Sequence, residues 1–131
     1  MSQPTILMYN LENDKGSRLR LLCLKLHVRV RSVRPGEYGE PLSALAGLSA
    51  PTGAPADGPI EDEMLVFVNF DGNLLNRLLQ QMRASRIPGV ALKAVLTPTN
   101  MHWTSLQLHR EIRQEHEAMH YGQPSVHEKS D

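Results

Sequence analysis

The spacing of apolar residues changes several times along this chain, and each change marks an element. Ile6 to Tyr9 is a compact apolar run between Thr5 and Asn10. A short unbroken run of this kind predicts a strand, Thr5 to Asn10, buried on both faces. After Asn13, Asp14 and Gly16, residues Leu19, Leu22, Cys23 and Leu26 recur at helical spacing. That pattern predicts an amphipathic helix ending near His27. Val28-Arg29-Val30-Arg31 alternates with period two, apolar on one face and cationic on the other, which fits a half-exposed edge strand. Glu40 to Leu48 can form a short helix. Met64 to Val68 is a second continuous apolar run and predicts a central strand. Leu75, Leu78, Leu79 and Met82 form the stripe of a second long helix, capped by Asp71 or Asn73. Pro88-Gly89 interrupts the chain before a fourth strand, Val90 to Leu96, which Lys93 marks as half-exposed. Thr104 with Gln107 fits a capping box, and Trp103 with Leu108 fits a hydrophobic staple. The last helix should run to about His120.

Strands alternating with helices imply an α/β fold with helices on both faces of an open sheet. Two fully apolar strands in the middle and two alternating strands at the edges give the order 2-1-3-4, mainly parallel. This is a flavodoxin-like arrangement reduced to four strands. A ferredoxin-like α+β sandwich is the alternative. No internal repeat at a fixed period is visible. A single domain over residues 1–120 is expected, with a mobile loop at 49–61, where Pro51, Pro55, Pro59, Gly53 and Gly58 oppose regular structure. Residues 121–131 are expected to be a disordered polar tail.

The chain has 131 residues and equal numbers of basic and acidic side chains, for a formal net charge of zero. That balance gives no global pull toward nucleic acid or an anionic membrane. Arg29, Arg31 and Arg34 are a local cationic edge, which commonly protects an edge strand from mispairing. No aromatic interleaving supports stacking on bases, so a nucleic-acid partner is not expected. The single cysteine, Cys23, lies among leucines and reads as a small buried hydrophobe rather than a nucleophile. No basic segment precedes the first apolar run, and no apolar stretch nears the ~20 residues a membrane helix needs. The expected location is the cytoplasm, without membrane association.

Four segments together carry a resemblance: Leu7 to Leu11, Met64 to Phe67, Leu92-Lys93-Ala94-Val95-Leu96-Thr97-Pro98-Thr99-Asn100 followed by Trp103, and Glu115 to Met119. The chain resembles a small bacterial family known only as a domain of unknown function. The resemblance implies a small bacterial cytoplasmic α/β protein and supplies neither substrate nor catalytic residues.

Two constellations could carry chemistry. His116-Glu117-Ala118-Met119-His120 is a literal H-E-x-x-H. On a helix, its histidines share a face and can hold zinc, with Glu117 as general base and His127 as a possible third ligand. The spacing to His127 departs from the extended motif, where Gln123 and Val126 replace the required glycine and histidine. The motif also ends the last helix, where histidines suit the helix dipole. A zinc-dependent hydrolase is therefore the alternative reading, and no cofactor is the first.

The second constellation is positional. Ligands of open parallel sheets settle beyond the carboxyl ends of the strands, at the switch point. Asn10, Glu12, Asn13, Asn69 and Asp71 would lie there, with Thr97, Thr99, Asn100 and Trp103 alongside. Such residue types also cap helices and close turns without any ligand. No glycine-rich phosphate loop accompanies them. The sequence thus points to a non-enzymatic module that binds an unidentified protein or small molecule at this rim.

Overall fold

The structure, a computed structural model, describes residues 3–120, the final two through their backbone alone. The expected tail at 121–131 lies outside the described residues. Strand β1 (Thr5–Tyr9) leads through Asn13 into helix α1 (Asp14–Lys25), followed by β2 (Arg29–Ser32), a 3-10 turn (Pro35–Glu37) and the single-turn helix α2 (Leu42–Leu45). The chain then crosses to β3 (Met64–Val68), α3 (Gly72–Ala84), β4 (Leu92–Val95), a second 3-10 turn (Asn100–His102) and α4 (Ser105–His120). The helix expected over Glu40 to Leu48 is shorter than its apolar pattern suggested. Pro41 begins it and Gly47, at φ +80°, ends it.

The sheet has the order β2-β1-β3-β4, with its two unbroken apolar runs at the centre as expected. β1–β2 and β3–β4 pair parallel, whereas β1–β3 pair antiparallel. Helices cover both faces. Ile6, Met8, Leu65 and Phe67 pack with Leu19, Leu22 and Cys23 of α1 and Leu78 and Met82 of α3. On the opposite face Leu7, Tyr9, Val66 and Val68 pack with Leu42 and Leu45 of α2 and Leu108 of α4. All five residues of β1 and of β3 are buried. Burying a large aliphatic or aromatic side chain stabilises by about 1.5–3 kcal/mol, so these strands hold the two layers together.

The helix ends follow local chemistry. Asn13 caps α1 by accepting from the Gly16 amide at 2.9 Å, and Asp71 caps α3 by accepting from the Leu74 amide at 2.7 Å. Gly16 is needed for packing, because a Cβ there would lie 1.7 Å from the Leu11 carbonyl oxygen. Thr104 accepts from the Gln107 amide at 3.2 Å, which is one of the two bonds of the expected capping box.

One relationship corrects the sequence reading. The two halves follow the same path of strand, helix, strand, 3-10 turn and helix. Asn10 and Asn69 leave the central strands at φ 59° and 61°, and His27 and Arg86 leave the long helices at φ 60° and 56°. Val28 N donates to Cys23 O, and Ile87 N donates to Met82 O at the matching place, each at 2.9 Å. Pairing within β1–β3 is centred on Leu7 and Val66, which are equivalent positions of the two halves. Pro41 and Thr104, also equivalent, form an isolated antiparallel bridge. An approximate two-fold axis therefore runs through the sheet. The repeat escapes a fixed period because the extra residues around Pro88-Gly89 shift β4 relative to β2, and the shared features are backbone conformations rather than residue identities.

Candidate functional site

Antiparallel β1–β3 pairing divides the expected rim. Tyr9 pairs with Met64 and Thr5 with Val68, so the carboxyl end of β1 lies beside the amino end of β3. Asn10, Glu12 and Asn13 therefore sit at one end of the sheet, while Asn69, Asp71, Thr97, Thr99 and Asn100 sit at the other. The single crevice expected at the switch point requires parallel central strands, and these strands are not parallel.

Most of these side chains have internal partners. Asn10 donates through Nδ2 to the carbonyls of Ile60 and Asp62 at 2.8 and 2.9 Å, fastening the end of β1 to the chain entering β3. Asn13 and Asp71 cap their helices. Thr97 and Asn100 bond reciprocally, and Asn100 Nδ2 also donates to Val95 O at 3.0 Å. Trp103 packs, partly buried, against the layer that holds α4. Asn69 and Thr99 are exposed.

The H-E-x-x-H segment lies on α4. His116 is exposed, and Glu117 lies 3.9 Å from Arg113, one turn earlier. The side chains of His120 and His127 lie outside the described residues. Among the described residues, no group of three or more histidine, cysteine, aspartate or glutamate side chains is placed to hold a metal ion.

The structure also gathers a cluster the sequence reading did not name. His109 Nε2 lies 2.8 Å from Asp62 Oδ2, and Arg113 approaches the same carboxylate at 3.5 Å. This cluster separates two open clefts of about 720 and 480 Å³ along α4. Among the described residues neither cleft is lined by a cysteine or a serine, and the first is lined by Thr104. Cys23 is buried elsewhere, and burial pushes its thiol up to about 12. Only the α4 spacing of His109 and Arg113 was visible in sequence. The fold supplied Asp62 from a loop distant along the chain.

A more apolar concavity lies elsewhere, between the outer flank of α1 and β2. It has a volume of about 800 Å³ and is lined by Leu21, Leu24, Val28 and Val30 among more polar neighbours. Leu21 and Leu24 are 62% and 73% exposed. The repeat supplies an internal reference. Leu19 and Cys23 correspond to Leu78 and Met82, buried in both halves, whereas Leu21 and Leu24 correspond to the exposed Gln80 and Arg83. The fold therefore accepts polar side chains at both places.

A family model described as a domain of unknown function (DUF3783) matches residues 63–119. The matched segment spans β3, α3, β4 and nearly all of α4, which is one half of the repeat. Comparisons with curated proteins and with solved structures give no match.

Proposed function

We propose that this protein is a non-enzymatic binding module whose recognition surface is the groove between α1 and β2. One observation carries the reading. Leucine occupies two exposed positions of α1 where the equivalent helix of the same chain has glutamine and arginine. Solvent-facing apolar side chains gathered beside a concavity mark interaction surfaces. The rim suggested by the sequence supports binding less well, because its side chains are divided between two ends and largely engaged in caps and turns. The partner class is a protein rather than a small polar molecule, since this groove is open and apolar. A cytoplasmic setting belongs to the same proposal. It rests on the lone buried thiol and ordinary composition, and no helix among the described residues is long and apolar enough to cross a membrane.

The test uses a photo-reactive amino acid placed at position 24, with position 83 as the matched control. Crosslinking in cells should give a discrete adduct from position 24 and none from position 83, and the adduct should vanish when Leu21→Gln is added. Equal crosslinking from both positions would overturn the reading.

A further inference from the structure

We infer that the groove receives an extended segment of a partner protein that adds a strand to the free edge of β2, with apolar and acidic side chains alternating along it. The inference rests on the docking surface proposed above and specifies its occupant.

The backbone supplies the first argument. β2 is an edge strand of the sheet. Arg29 N donates to Pro4 O and Val33 N to Met8 O, both at 2.9 Å. In a parallel ladder alternate residues bond to the same neighbour, so Arg29, Arg31 and Val33 face β1. Val30 and Ser32 turn their backbone N–H and C=O outward. Among the described residues neither finds another backbone partner on that side. An added strand would satisfy these groups in the manner of β-augmentation.

Side chains set the register of the occupant. Val30 pairs with Ile6 and shares the α1 face, where Leu21 and Leu24 stand. Arg29 and Arg31 pair with Thr5 and Leu7 and share the other face. A strand lying beside β2 would present alternate residues to these two faces. Apolar residues fit the leucine side, and a carboxylate fits beside Arg29 on the other. Among the described residues no acidic side chain lines the groove, whereas Arg20, His27 and Arg29 do. Arg20 is already held by Glu12 and Ser32, and Arg31 by Glu37 and the Leu45 carbonyl, while Arg29 has no ion pair among the described residues. The opposite edge lacks this combination, because Lys93 stands on β4 where Val30 stands on β2.

Charge also selects against a second copy of the chain. Antiparallel pairing of two β2 edges would bring the arginines of both copies together, and like charges across strands are unfavourable.

The test titrates isotope-labelled full-length protein with an acetylated eight-residue peptide of alternating valine and glutamate, followed by amide NMR. The peptide should shift the Val30 and Ser32 amides and slow their hydrogen exchange at least tenfold. A valine–lysine peptide, and a valine–glutamate peptide N-methylated on alternate residues, should each bind at least tenfold more weakly. Failure of the valine–glutamate peptide to protect Val30 and Ser32 at millimolar concentration overturns the strand-addition inference. If shifts then appear only around Leu21 and Leu24, and are lost in L21Q/L24R, the docking surface stands and only its mode of occupancy fails. Equal binding of the lysine peptide overturns the acidic assignment. Sedimentation showing a dimer that L24R dissociates would identify a second copy as occupant and overturn the inference.

Discussion

Leu7 of β1 lies directly opposite Val66 of β3 at the midpoint of the central antiparallel pairing, and the two are the same position of the two halves. Each is fully buried in the layer that holds α2 and α4. Around this pair, every feature of one half can be compared with its counterpart in the other. Differences between the halves separate what the fold requires from what it only permits.

Replacing Leu21→Gln and Leu24→Arg together copies the second half onto the first. Both positions are solvent-facing, so the unfolding free energy measured in urea should change by no more than about 0.5 kcal/mol. The reverse change, Gln80→Leu with Arg83→Leu, should leave stability similar but increase binding of a hydrophobic dye by creating a second apolar patch. A large loss of stability in the first variant would show that the leucines serve the core.

Tyr9 spans the layer to α4, where its hydroxyl lies 2.6 Å from Ser105 Oγ, and both residues are fully buried. Burial raises the Tyr9 hydroxyl well above its ordinary range, with Ser105 opposing through the hydrogen bond. Tyr9→Phe and Ser105→Ala each leave one buried hydroxyl without this partner, which should cost about 1–3 kcal/mol. The double variant should cost less than the sum of the two, as a double-mutant cycle in denaturant would show.

Cys23 is neutral in the folded protein because burial lifts its thiol from 9.0 to about 12. The unfolded chain ionises it first. Its stabilising contribution is therefore complete below pH 9 and is lost as pH rises toward 12, at about 1.4 kcal/mol per pH unit within that window. Cys23→Ala should flatten this alkaline decline, and alkylation of the native thiol at pH 8 should proceed only as fast as the protein opens.

Glu40 accepts from the amides of Thr52 and Gly53, each at 2.7 Å, and from the Thr52 hydroxyl at 2.9 Å. These bonds, led by the Thr52 amide, hold its carboxyl below the ordinary value of 4.5. The contribution is present above that value and is lost as pH falls below it. Glu40→Ala at neutral pH, or acidification of the native protein, should speed amide exchange at Thr52 and Gly53 while leaving β1 and β3 unchanged.

The purified protein should carry no stoichiometric zinc, measured by elemental analysis. The grounds are the exposure of His116 and the absence, among the described residues, of three or more histidine, cysteine, aspartate or glutamate side chains placed to hold a metal ion. One equivalent of tightly bound zinc that disappears in His116→Ala would restore the hydrolase reading.

Sheet order was legible in sequence because burial on both faces leaves an unbroken apolar run, as in Ile6 to Tyr9 and Met64 to Val68. The direction of β3 relative to β1 was not legible. An apolar run reads the same in either orientation, and the long connection after α2 permits both. That one unknown carried the expectation of a single rim, since a common carboxyl rim needs all its strands to point the same way. The caps Asn13, Asp71 and Thr104 were readable because they act within a turn of their own helix. Asp62 beside His109 was not, because the pair meets only across the folded chain. The repeat was hidden for a related reason. Asn10 and Asn69 share an identity, but His27 and Arg86 share only a left-handed backbone.

The two-fold arrangement has a consequence for how the chain reaches its native state. Within each half, strand, helix and strand are close in sequence, so both parallel crossovers can close locally, and joining β1 to β3 is the strand pairing that brings the two halves together. Steps of that kind set folding rates in small domains. The connection after α2 then works as a tether that sets the effective concentration of one half for the other. Since doubling a flexible loop costs only about 0.6 kcal/mol, this tether can lengthen with little loss, whereas a polar residue in place of Leu7 or Val66 would prevent the two halves from meeting.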